Sequence, residues 1–160
     1  MPHPLPDPPP LDNLLYWAGW AVQNRARINY AEIRPIPVEL SPGSLPFTTD
    51  CSGFVTLMAK WAGLPDPNGL HFDGQGYTGT LLSHCLHIPF VDVRPGCLVV
   101  FGPYPGHHVI LVTGLVRDRN GPLTDLECVS HGKPGDPSKV LASVEQARQP
   151  FPASYLTWHD

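Results

Sequence analysis

The apolar residues of this chain change their period at Arg94, and that change limits the folds open to it. Before Arg94 they recur at helical spacing; after it they form short strand-like runs separated by turn residues. Leu14, Leu15, Ala18, Ala21 and Val22 share one face of a predicted helix capped by Asp12. Phe54, Val55, Met58, Ala59 and Ala62 share one face of a second, which starts at Asp50 and stops before Gly63-Leu64-Pro65. Thr80 to Leu86 reads as a short third helix. Strands are then expected at Cys97–Phe101, His108–Gly114, Leu123–Ser130 and Ser154–Trp158. Helices first and strands afterwards make an α+β architecture, with the helices packed on an antiparallel sheet. At 160 residues and 42% hydrophobic content, the chain can bury one core of its own.

Proline marks where regular structure is not expected. Met1–Pro10 contains six prolines and reads as an extended arm, leaving 11–160 as a single domain. Pro35, Pro37, Pro42 and Pro46 make Ile28–Thr49 a loop leading into the second helix. Pro65–Gly79 reads as a long surface loop whose His71, Phe72, Gln75 and Tyr77 are placed to line a cleft. Tyr16, Trp17 and Trp20 are expected in the core. The formal charge of −4 and the lack of a Lys/Arg run argue against nucleic acid or an anionic membrane as partner. No apolar run approaches the ~18 residues a membrane span needs, and no secretory signal pattern opens the sequence.

The chemistry centres on Asp50-Cys51-Ser52-Gly53. A thiol at a helix start sits at the positive end of the dipole, among unpaired N–H groups, and both favour thiolate. A depressed Cys51 pKa is therefore expected. Cys85, Cys97 and Cys128 fall in apolar surroundings and read as core residues. No CxxC occurs, and His84, Cys85 and His87 have no second cluster at zinc spacing, so neither a disulfide framework nor a metal or other cofactor is expected.

A cysteine nucleophile needs a base and an orienting partner. His108 opens one predicted strand and His131 closes the next. A four-residue Asp118–Gly121 turn sets the two directly opposite, with Cβ atoms about 5 Å apart. A two-residue Asn120-Gly121 turn makes them diagonal neighbours on one face, and a three-residue turn puts them on opposite faces. His108 is the expected base and His131 the orienter, with Glu127 as an alternative orienter. His107 points to the other side of a regular strand and is grouped with Asp50, Ser52 and Tyr77 as a substrate-binding candidate.

Asp50–Val55, Arg94–Phe101 and His108–Gly114, in that order, resemble the motifs of the NlpC-type cell-wall cysteine peptidases, which are papain-like. Val129–Gly132 looks like the segment carrying that family's third catalytic position. The resemblance covers about half the chain. It implies hydrolysis of a peptidoglycan stem peptide, commonly between D-glutamate and a diamino acid, by Cys51, His108 and His131. The family's Tyr-x-x-Gly-Gly segment is replaced here by Val38–Gly43, with Tyr30 earlier in the chain, and its acidic residue after Arg-Pro-Gly is Cys97. Asp66–Gly69 and Gly74–Leu82 are similar to members from phages of actinobacteria. That likeness implies an endolysin module or virion-associated hydrolase acting at the bacterial cell wall. The alternatives are an amidase or acyltransferase with the same triad, or a structural tail protein whose proline arm docks on other virion proteins.

Overall fold

The computed structural model describes residues 8–159. The first helix, α1, spans Pro8–Gln23, so Asp12 lies inside it and not at its cap. Pro8, Pro9 and Pro10 form its first turn. The first N–H groups of a helix have no intrahelical acceptor, so prolines there forfeit no hydrogen bond. The expectation of an extended arm is overturned for these three residues; Met1–Asp7 lie outside the described residues.

Two short strands interrupt the predicted Ile28–Thr49 loop: β1 (Ile28–Tyr30) and β2 (Phe47–Thr49) pair in parallel, with Tyr30 opposite Thr49. The second helix, α2, spans Cys51–Ala62. Asp50 Oδ1 accepts the Gly53 N–H at 2.8 Å and caps it, as expected. Gly63 closes it in the left-handed region at φ 85°, where a side chain would be strained. Thr78–His84 forms α3, two residues earlier than the spacing predicts.

The sheet contains β3 (Leu86–Ile88), β4 (Leu98–Phe101), β5 (His108–Arg117), β6 (Leu123–Ser130), β7 (Ser138–Leu141) and β8 (Ala153–Thr157). Its order is β3-β8-β4-β5-β6-β7, and every pairing is antiparallel. Between β7 and β8 lies α4 (Ala142–Arg148), packed on β6 and β7; neither β7 nor α4 has a counterpart in the sequence-based reading.

The sheet is buried on both faces, which is why β4 and the first half of β5 read as continuous apolar runs. Leu98, Val100, Val109, Leu111 and Val129 face α1 and α2, where Leu14, Phe54, Leu57 and Met58 meet them. Val99, Phe101, Ile110, Val112 and Cys128 face the other way, toward Phe90, Tyr155 and the α4 side. Trp17 and Trp20 pack edge-on against Trp61 of α2 at 5.1 and 5.5 Å. Tyr16 is 62% exposed, not core.

The β5–β6 register decides where the histidines point. Ile110 pairs with Ser130, Leu111 with Val129 and Arg117 with Leu123, with irregularities after Val112 and after Val116. Continuing the Ile110–Ser130 alignment sets Val109 opposite His131 and His108 opposite Gly132. The odd offset between His108 and His131 puts them on opposite faces, so the expected side-by-side pair does not form. The physical reason is the connection: Asp118–Pro122 lies between the paired ends, with Asp118 N–H donating to Pro122 O, and two bulges follow.

Candidate active site

Cys51 begins α2 at the floor of a cleft of about 410 Å³. The cleft walls come from three places. Tyr30 and Arg34 lie on and after β1, Gln75 and Tyr77 precede α3, and Gly106 and His107 lead into β5. Arg34 ties these parts together. Its Nη2 lies 3.1 Å from Asp50 Oδ2 and donates to Ser52 Oγ at 3.1 Å, and its Nε donates to Gly76 O at 2.9 Å. Asp50 and Ser52 therefore act as the cap and as anchors for Arg34, at the cleft wall.

Cys51 is 8% exposed. Burial pushes its thiol up to about 11; the backbone N–H groups of Val109, Ser52 and Cys51 itself pull the other way, and Asp50 adds to the rise. The expected depression is overturned. The helix-start amides act in the predicted direction, but desolvation of the thiolate is larger. At rest the nucleophile is a thiol.

Tyr30 stands beside it. Burial and the neighbouring Cys51 push the phenol up to about 12, so it is a neutral hydroxyl. The β1–β2 pairing accounts for its position: Thr49, two residues before Cys51, lies opposite Tyr30. Reading Ile28–Thr49 as loop hid this; the Ile28-Asn29-Tyr30 run was the available signal.

His131 lies on the Cys51 side of the sheet, between the rings of Tyr30 at 5.4 Å and Phe54 at 5.5 Å. It is 1% exposed, and its Nε2 lies 3.2 Å from Asn29 O. Donation from Nε2–H to that carbonyl leaves Nδ1 as the free lone pair, and Nδ1 has no partner among the described residues. Burial holds this imidazole below the usual histidine range, against the pull of the Asn29 and Thr49 carbonyls.

His108 is elsewhere. It pairs with Phe101, stacks near that ring, and points to the α4 side, where its Nε2 is 2.9 Å from Ser130 Oγ. Burial lowers its pKa too, opposed by Glu145 and Asp136. His107 lines the Cys51 cleft and is exposed, its ring stacked on Phe151 at 3.9 Å and 5°. The structure thus brings Cys51, His107 and His131 to one side of the sheet and sets His108 on the other. Glu127 pairs with Gly114, four residues before His131 and roughly 13 Å away along β6, too far to orient it.

Tyr77 OH lies 2.8 Å from Tyr104 OH, bridging two cleft loops, and Gln75 also lines the cleft. His71 and Phe72 instead shape a turn at positive φ, with Phe72 under the Lys60 ammonium. Cys85, Cys97 and Cys128 are free and buried. Among the described residues no three His, Cys, Asp or Glu side chains form a metal-holding group.

This arrangement has the parts of acyl transfer: a thiol, an imidazole in the same cleft, and backbone N–H groups at a helix start to hold an oxyanion. No protein-family profile matches the sequence, and no curated protein matches it either. Solved structures do match its shape. An NLP/P60-family protein similar to lipoprotein from Staphylococcus aureus aligns over 98% of this chain and 44% of its own length, at 14% identity and TM-score 0.59. A hypothetical invasion protein of Mycobacterium tuberculosis aligns over 90% of this chain and 63% of its own, at 20% identity and TM-score 0.48. The M. tuberculosis peptidoglycan hydrolase RipB aligns over 86% and 73%, at 20% identity and TM-score 0.39. The chain spans less than half of the staphylococcal protein, and the fold it shares with that protein is the NlpC/P60 fold.

Proposed function

We propose that the chain is a cell-wall hydrolase that cleaves a stem-peptide amide of peptidoglycan through a Cys51 acyl-enzyme. The observation that carries this reading is Cys51 at the start of a buried helix, among backbone N–H groups, on the floor of an open cleft. The Asp-Cys-Ser-Gly motif on an NlpC/P60 fold supports the substrate class.

In this mechanism His107 is the acid–base, because it shares the cleft with Cys51 and is open to a bound substrate. It takes the Cys51 proton as sulfur attacks the amide carbonyl carbon. The Cys51 and Ser52 N–H groups receive the oxyanion. The C–N bond then breaks, and His107 returns the proton to the leaving amine. Water, deprotonated by His107, cleaves the thioester and releases the acid. His131 is a positioning residue whose buried ring packs between Tyr30 and Phe54, behind the Cys51 cleft. Asp66–Gly69 and Gly74–Leu82 suggest a phage setting, as an endolysin module or virion-associated hydrolase.

Mass spectrometry of actinobacterial peptidoglycan digested by wild type, Cys51→Ala, His107→Ala and His108→Ala tests the reading. Stem fragments should appear with wild type, vanish with Cys51→Ala, fall at least a hundredfold with His107→Ala, and persist with His108→Ala. Loss with His108→Ala and retention with His107→Ala would return the base to His108. No fragments from folded wild type would favour a structural tail module.

A further inference from the structure

The α4 side of the sheet carries a second cavity that the proposed reaction does not use. It encloses about 560 Å³, a volume suited to a small molecule, and lies across the sheet from Cys51. Four polar side chains reach it although each is more than nine-tenths buried: His108, Ser130, Asp136 and Glu145. Asp136 is partly satisfied, accepting from Gly132 N–H at 3.3 Å and Ser138 Oγ at 2.7 Å. Glu145 lines the cavity at 5% exposure, and its carboxylate has no hydrogen bond or ion pair to another side chain among the described residues. Arg34–Asp50 is the only ion pair found among them, so no cation within 4.0 Å balances either carboxylate.

The Glu145 carboxylate opens into the cavity, and a cationic group entering there would give it the partner it lacks among the described residues. Acceptors for an ammonium are at hand. With Nε2–H of His108 donating to Ser130 Oγ, Nδ1 is left as a lone pair, and the hydroxyl oxygen keeps one of its own. The rim has the opposite sign: Lys133, Lys139 and Arg148 line the mouth and are exposed. They attract a carboxylate and repel a second cation. The described side chains form no metal-holding trio, which favours an organic cation.

We propose that this cavity binds a zwitterion whose charges are separated along a short chain, of the ω-amino acid or free short-peptide class, with its ammonium against Glu145 and its carboxylate at the Lys139–Arg148 rim. The site is independent of the hydrolase reading, and its test uses no turnover.

The test is an NMR titration of the full chain, following the Gly132 amide and the His108 ring nitrogens. The probes are 6-aminohexanoate, butylamine and butyrate. Saturable shifts are expected with 6-aminohexanoate, weaker ones with butylamine, and none with butyrate. Glu145→Gln should weaken 6-aminohexanoate at least tenfold, the usual scale for losing a charge-assisted hydrogen bond. Lys139→Ala combined with Arg148→Ala, both on the surface, should weaken 6-aminohexanoate severalfold while leaving butylamine unchanged; this pair decides the matter if Glu145→Gln does not fold. No saturable shift with any probe, saturation by butyrate, or 6-aminohexanoate binding indifferent to both sets of substitutions would overturn the proposal.

Discussion

Cys51 shows how two local effects of opposite sign are settled by magnitude. The helix-start amides favour the thiolate, and burial at 8% exposure disfavours it more, leaving the thiol near 11. Its alkylation by iodoacetamide should therefore keep accelerating as pH rises toward 11, about tenfold per unit. Peptide mapping after timed labelling reads this directly, and a plateau below pH 8 would show a preformed ion pair instead. Cys85 should lag behind, since burial pushes it up to about 12 and it lines no part of the cleft. The residue types of the site were legible in the Asp-Cys-Ser-Gly motif and the histidines. The net sign of the Cys51 shift was not, because desolvation depends on what packs over the sulfur.

Elements explain which histidine meets the thiol. β5 and β6 form close to where alternation and turn residues predict them, β6 at Leu123–Ser130 as expected. Yet one extra position in the Asp118–Pro122 connection, followed by bulges, moves His108 to the far face. A strand's side chains alternate, so an error of one residue in a loop inverts every assignment downstream of it. The α2 start was more secure, because a cap acts within three residues. Asp50→Ala removes both the acceptor for Gly53 N–H and the partner of Arg34. It should lower stability by about 1–2 kcal/mol, whereas Asp50→Asn, which keeps a cap, should lose less. Urea denaturation of the two variants checks this, and equal losses would assign the effect to the ion pair.

The whole molecule stakes part of its stability on neutral histidines. His131 and His108 are both buried, and both have folded pKa values below the unfolded value of about 6.5. Above that pH neither state takes up the proton, and stability is complete. As pH falls below it, the unfolded chain gains protons that the folded chain refuses, and stability drops until the folded pKa is passed. The urea midpoint should fall between pH 7 and pH 5, and fall less in His131→Gln; an identical slope in that variant would remove His131 from the account. By itself the sequence determined the helix-then-strand order, the capped cysteine helix and the apolar strands, because these rest on spacing and on contacts a few residues apart. Only the tertiary structure decided that Tyr30 stands beside Cys51, that His107 and not His108 faces the cleft, and that Glu145 is buried without a side-chain partner among the described residues. Those outcomes depend on strand register and on burial, which arise when segments distant in sequence pack together.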